Sequence, residues 1–130
     1  MDEETFRAIA EDIFNALPAG FLKLMQNVVV VIEDFAPEQQ LVAMDIRSPY
    51  HLLGLYEGRP ITEREAVDSG TLPDFIHLYR IPILAMQQRS GETIEACISD
   101  VLIHEIGHYF GFSDAQMEAI EAEQCGGRKM

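Results

Sequence analysis

Basic residues are scarce in this chain: 9 lysines and arginines stand against 22 aspartates and glutamates, a formal net charge of −13. Such a surface repels nucleic-acid phosphates and anionic membranes, so a phosphate-tracking binder is excluded as the first reading. Long apolar runs are missing as well. The longest obvious one, Val28 to Ile32, falls far short of the roughly twenty residues that cross a bilayer. Only two cysteines are present, Cys97 and Cys125, too few for a disulfide framework, and a reducing cytoplasm is the compartment expected. The opening Met1-Asp2-Glu3-Glu4 is acidic where a secretory leader would carry Lys or Arg, so no leader is expected. Fixed-period repeats and low-complexity blocks are also lacking, which removes solenoid and linker architectures. What remains is 130 residues of globular composition, 48% hydrophobic and 24% charged. A single domain over residues 1–130 with a loose tail from about 125 is expected.

Hydrophobic spacing supplies the elements. Phe6, Ile9, Ala10, Ile13, Phe14 and Leu17 recur at helical intervals, predicting an amphipathic helix from about Glu3 that Pro18 and Gly20 end. The β-branched Val28–Ile32 reads as a strand buried on both faces and hence central in a sheet. A short helix is expected from Pro37 to about Met44, strands over Leu52–Glu57 and Phe75–Tyr79, and a loop from Thr62 to Asp74. A helix opening at Ile81-Pro82 runs to about Arg89. Ser90 is then the expected N-cap of a largely apolar helix that Gly111 terminates, and a last short helix follows from about Asp114 to Glu123.

That apolar helix carries His104-Glu105-Ile106-Gly107-His108. Residues four apart on a helix differ by roughly 40° in direction, so both imidazoles enter one coordination sphere. Glu105 flanks that position and reaches a water without serving as a ligand. The H-E-x-x-H pattern is thus two nitrogen donors for zinc and a carboxylate for proton transfer. A catalytic zinc takes a third protein ligand. The string continues through Gly111 to Asp114, the H-E-x-x-H-x-x-G-x-x-H layout with aspartate in the last place. Chance alone yields this full string in a chain of such length about once in 10⁵. Asp114 is the candidate third ligand and Glu118, one turn on, its competitor. Among the neighbours, Asp100 is placed to accept a ring N–H from His104 or to face water, whereas Cys97 and Tyr109 read as packing residues. His51 and His77 lie outside any ligand spacing.

The order Val28-Val-Val-Val-Ile-Glu-Asp34, Leu53-Gly-Leu-Tyr-Glu-Gly58, Leu72-Pro-Asp74, Leu78-Tyr-Arg80 and the string ending at Asp114 resembles the small acidic zincin-like metallopeptidase family of bacteria, the minimal zincins. The resemblance implies an α+β fold with a small mixed β-sheet packed against the helix that bears H-E-x-x-H. It implies one zinc ion on His104, His108 and Asp114, with Glu105 as general base. It also implies an edge strand beside the cleft that pairs with an extended peptide substrate, a role suited to Leu53–Glu57. The chain departs from metzincin-like proteases, because Met117 comes too early for a methionine turn beneath the metal. The leading expectation is a cytoplasmic zinc metallopeptidase acting on peptides or proteins, without nucleic-acid or membrane partners; oligomeric state is left open. The rival expectation is a metal-binding interaction module with little or no turnover. A metal-dependent ribonuclease would need a basic cleft, which a charge of −13 opposes.

Overall fold

The computed structural model describes residues 1–25, 27–58 and 73–111. Helix α1 spans Glu3–Asn15 and begins at Asp2, whose side chain accepts a hydrogen bond from the Thr5 N–H at 2.8 Å. Its apolar stripe turns inward, with Phe6 and Ala10 fully buried. Pro18 does not simply end the helical region. It stands at the N-cap of a further helix, α2 (Ala19–Leu24), whose six residues are too few to show a period in the sequence.

Three strands follow: β1 (Val28–Glu33), β2 (Gly54–Glu57) and β3 (Asp74–Tyr79). Between β1 and β2 lie helix α3 (Glu38–Ala43) and a single 3-10 turn, Pro49–His51. The sheet order is β1-β3-β2, with β1 parallel and β2 antiparallel to β3. The small mixed sheet expected of an α+β zincin-like fold is therefore present.

The central strand is β3, not β1. Although Val28–Ile32 is β-branched throughout, Val29 is 44% exposed and β1 occupies an edge among the described residues. β-branching suits any pleated surface and does not by itself require burial on both faces. In β3 Ile76 and Leu78 are fully buried on one face and Tyr79 on the other.

Helices α4 (Arg80–Ser90) and α5 (Ile94–Tyr109) complete the described chain. Gly91 adopts φ 74°, a left-handed conformation that stops α4 at Ser90. The N-cap of α5 is consequently Thr93, whose hydroxyl accepts from the Ala96 N–H at 3.1 Å. Ser90, expected in that role, instead closes α4 and donates to the Gln87 carbonyl.

One face of the sheet packs on α1 and α5. Val28, Val30, Ile32, Ile76 and Leu78 meet Phe6, Ile98, Leu102 and Ile106 in the main core. The opposite face is covered at one end by a smaller cluster, where Tyr79 and Leu55 meet Ala36, Leu41 and Leu52. On that face His77 spans all three strands, its Nδ1 2.6 Å from Glu33 and its Nε2 3.0 Å from Glu57. A single bond to an imidazole thus ties each outer strand to the central one. No helix among the described residues is long and apolar enough to cross a membrane.

Candidate metal centre

Helix α5 is 16 residues long, and its buried positions, Gly107 apart, fill one broad face, while Glu95, Asp100 and Ile103 are exposed. This follows from its position between β2 and β3 on one side and α1 and α4 on the others. An apolar helix so enclosed tolerates a polar side chain only where that side chain has a partner. Glu105 nevertheless sits at 7% exposure within it, flanked by the half-buried His104 and His108.

The two imidazoles project from one face, as their spacing requires, with ring centroids 4.8 Å apart and planes at 79°. Potential donor atoms of His104, Glu105 and His108 all lie within 4.8 Å of one another. Imidazole nitrogens gathered this closely fit a divalent ion such as zinc, which binds nitrogen at about 2.0–2.1 Å. The fit is chemical as well as geometric, since nitrogen donors with an adjacent carboxylate form a borderline-hard set. The Glu105 carboxylate joins the same cluster, so it stands within reach of a water shared with the ion.

After Tyr109 the helix ends with Phe110, and Gly111 takes φ 92° while donating its N–H to the His108 carbonyl at 3.0 Å. A residue with a Cβ is strained at such a φ, so glycine is the natural terminator that lets the chain leave the helix axis. Asp114, the expected third ligand, and Glu118, its competitor, lie outside the described residues. So do residues 62–72 of the loop expected from Thr62 to Asp74, the last helix and Cys125, whereas Asp74, expected to end that loop, opens β3.

Alongside the cluster runs a groove of about 750 Å³. His104 and Glu105 form part of one wall, while Leu53 and Gly54 contribute the other. The close approach of β2 to α5 depends on Gly54. A Cβ there would lie 2.7 Å from Val101 Cγ1 and 3.0 Å from the His77 carbonyl oxygen, both too near to be tolerated without movement. β2 is the outer strand on this side of the described sheet, so an edge strand does flank the metal cluster.

Several expectations about the surrounding residues hold. Cys97 is a buried core thiol at 1% exposure, and Tyr109 packs at 4%, its ring edge-on to Tyr56 with centroids 6.0 Å apart. Asp100 and His104 both line the groove. Burial is the main force that pushes the Cys97 thiol up from its ordinary value; the Ser90 hydroxyl opposes this, and the carboxylates of Glu92 and Asp100 reinforce it. The Tyr79 phenol is also pushed up, chiefly by burial and further by the negative charges of Glu33, Glu57 and Glu105.

The groove residues His51, Met86 and Glu92 were not foreseen. They come from the 3-10 turn, from α4 and from the α4–α5 connection. No spacing relates them to the metal string, so only the packing of these elements on α5 could reveal them.

The sequence model of the zincin-like metallopeptidase family matches residues 25–124, from just before β1 to beyond the metal string. No curated protein matches the chain.

Proposed function

The chain belongs to the zincin-like metallopeptidase family, and from that premise we propose that it hydrolyses peptide bonds in a zinc-dependent reaction. The observation that carries this reading is the gathering of His104, Glu105 and His108 within 4.8 Å of one another at the wall of a groove. His104 and His108 would hold one zinc ion, and Asp114, or else Glu118, would complete the protein ligands. When bound, zinc supplies a Lewis acid that polarises the scissile carbonyl and makes water nucleophilic near neutral pH.

The chain's own residues do the rest. Glu105 is the general base: its buried carboxylate takes a proton from the attacking water and delivers it to the leaving amine. Burial strengthens this proton transfer, because a carboxylate held in a low-dielectric wall interacts more strongly with the groups facing it. The edge strand β2 offers main-chain donors and acceptors to an extended peptide, which would lie antiparallel or parallel along Gly54–Glu57 and cross the metal cluster. The packing of Gly54 against Val101 and Glu105 supports this placement, since it leaves strand and base adjacent. We further place the protein in the cytoplasm, as a single domain without nucleic-acid or membrane partners, on its few cysteines and its net charge of −13.

The test is Glu105→Gln. Purified protein loaded with zinc and offered a peptide library should cleave, and a chelator should stop cleavage. The substitution should keep the metal content of the wild type while lowering turnover by at least about 100-fold. A fully active Glu105→Gln protein overturns the assignment of the base. If zinc is bound but no peptide is cleaved, the protein is instead a metal-holding interaction module.

A further inference from the structure

The groove beside the metal cluster has a charge as well as a shape. Its exposed surface is mostly apolar, with Leu53, Met86, Val101 and Ile103 among the residues that line it. Ile103 is 43% exposed, an apolar surface that stays wet until something covers it. Besides Glu105, two further carboxylates, Glu92 and Asp100, share the same lining with the imidazoles of His51 and His104, and no lysine or arginine lines it among the described residues. The groove therefore combines walls suited to an aliphatic stem with anions suited to a cationic head.

We propose that this groove is a specificity subsite for a basic side chain, lysine or arginine, of the bound peptide. The proposal rests on the reading of the site as a peptide-binding one, and it adds which peptides are favoured. Lysine and arginine bury their methylene stems on apolar surface while keeping their charge near water or a counter-ion. Leu53, Met86 and Val101 meet the stem, and Glu92 and Asp100 meet the head. A purely aliphatic side chain satisfies the walls but adds no ion pair with the carboxylates. An acidic side chain brings like charges together and is rejected.

One further observation points the same way. The whole chain, at −13, draws cationic peptides toward it and repels acidic ones.

The experiment measures binding, not cleavage. Full-length Glu105→Gln protein loaded with zinc is titrated, at low ionic strength, against fluorescent hexapeptides Ala-Ala-Ala-X-Ala-Ala with blocked ends. X is lysine, norleucine or glutamate, so that stem length and charge are separated. Lysine should bind about five-fold more tightly than norleucine, as expected of two exposed ion pairs, and glutamate more weakly than both. The advantage of lysine should shrink as salt is added. Combining Glu92→Gln with Asp100→Asn should bring the lysine-to-norleucine ratio to about one. Combining Glu92→Lys with Asp100→Lys should place glutamate ahead of lysine. Equal affinity for lysine and norleucine, a preference that survives both double substitutions, or no binding of any peptide would each overturn the proposal. Should the peptidase reading alone be wrong, the wild type cleaves nothing while the charge order of binding persists. Should only this proposal be wrong, cleavage proceeds with no preference for a basic residue.

Discussion

Gly54 of β2 lies directly against Glu105 of α5: a Cβ on the glycine would sit 3.4 Å from Glu105 Cγ, in ordinary contact. The strand and the general base are thus neighbours across a gap that only hydrogen fills. The same Cβ would meet Val101 Cγ1 at 2.7 Å, so adding it forces the strand and helix apart.

Gly54→Ala should therefore destabilise the fold by about 1–3 kcal/mol, the usual cost of overpacking a well-filled contact. Urea unfolding of the variant checks this figure. An unchanged midpoint would mean that β2 and α5 separate freely. That result would remove the argument for a fixed distance between edge strand and base.

The third ligand is decided by metal content. Asp114→Ala and Glu118→Ala are compared with His104→Ala by elemental analysis after dialysis against a weak chelator. Loss of either imidazole should empty the site, since zinc sites of this kind use three protein ligands. Asp114→Ala should lower zinc retention by at least about 10-fold, whereas Glu118→Ala should leave it near the wild-type level. The opposite pattern would transfer the ligand role to Glu118.

Alkaline pH should weaken the protein in two stages. Cys97 and Tyr79 are both raised by burial, so each holds its proton more tightly folded than unfolded. The stability they confer is complete below their ordinary values, near 8.5 for the thiol and 10 for the phenol, and is lost as pH rises through the raised folded values. The urea midpoint should fall from about pH 8.5 upward. Cys97→Ala should remove the first part of the slope, and Tyr79→Phe the part above about pH 10. A profile identical in all three proteins would contradict the burial of these two groups.

The metal string was legible because its geometry is local. Two imidazoles four residues apart share a face on any α-helix, so His104 and His108 meet whatever else the chain does. Glu105 between them and Gly111 beyond were readable for the same reason, since φ preference and helical pitch belong to short stretches of backbone. The stripe of α1 and the alternation of Phe75–Tyr79 were likewise carried by local period, although that strand begins one residue earlier, at Asp74, and the strand expected over Leu52–Glu57 begins only at Gly54. Their ends were less secure. Ser90 and Thr93 are both competent caps, and the left-handed turn at Gly91 decided between them.

Position within the sheet was not readable in this way. The valine run of β1 declares a strand, yet whether a strand is central depends on which partners pair with it, and those are far away in sequence. The groove illustrates the point most fully. His51, Met86 and Glu92 reach it from separate elements, and no period links them to the metal string. The amino-acid order by itself determined which residues can grip a metal, through the pitch of one helix. Only the tertiary structure decided what stands opposite them, because long-range packing brings β2 and α4 onto α5.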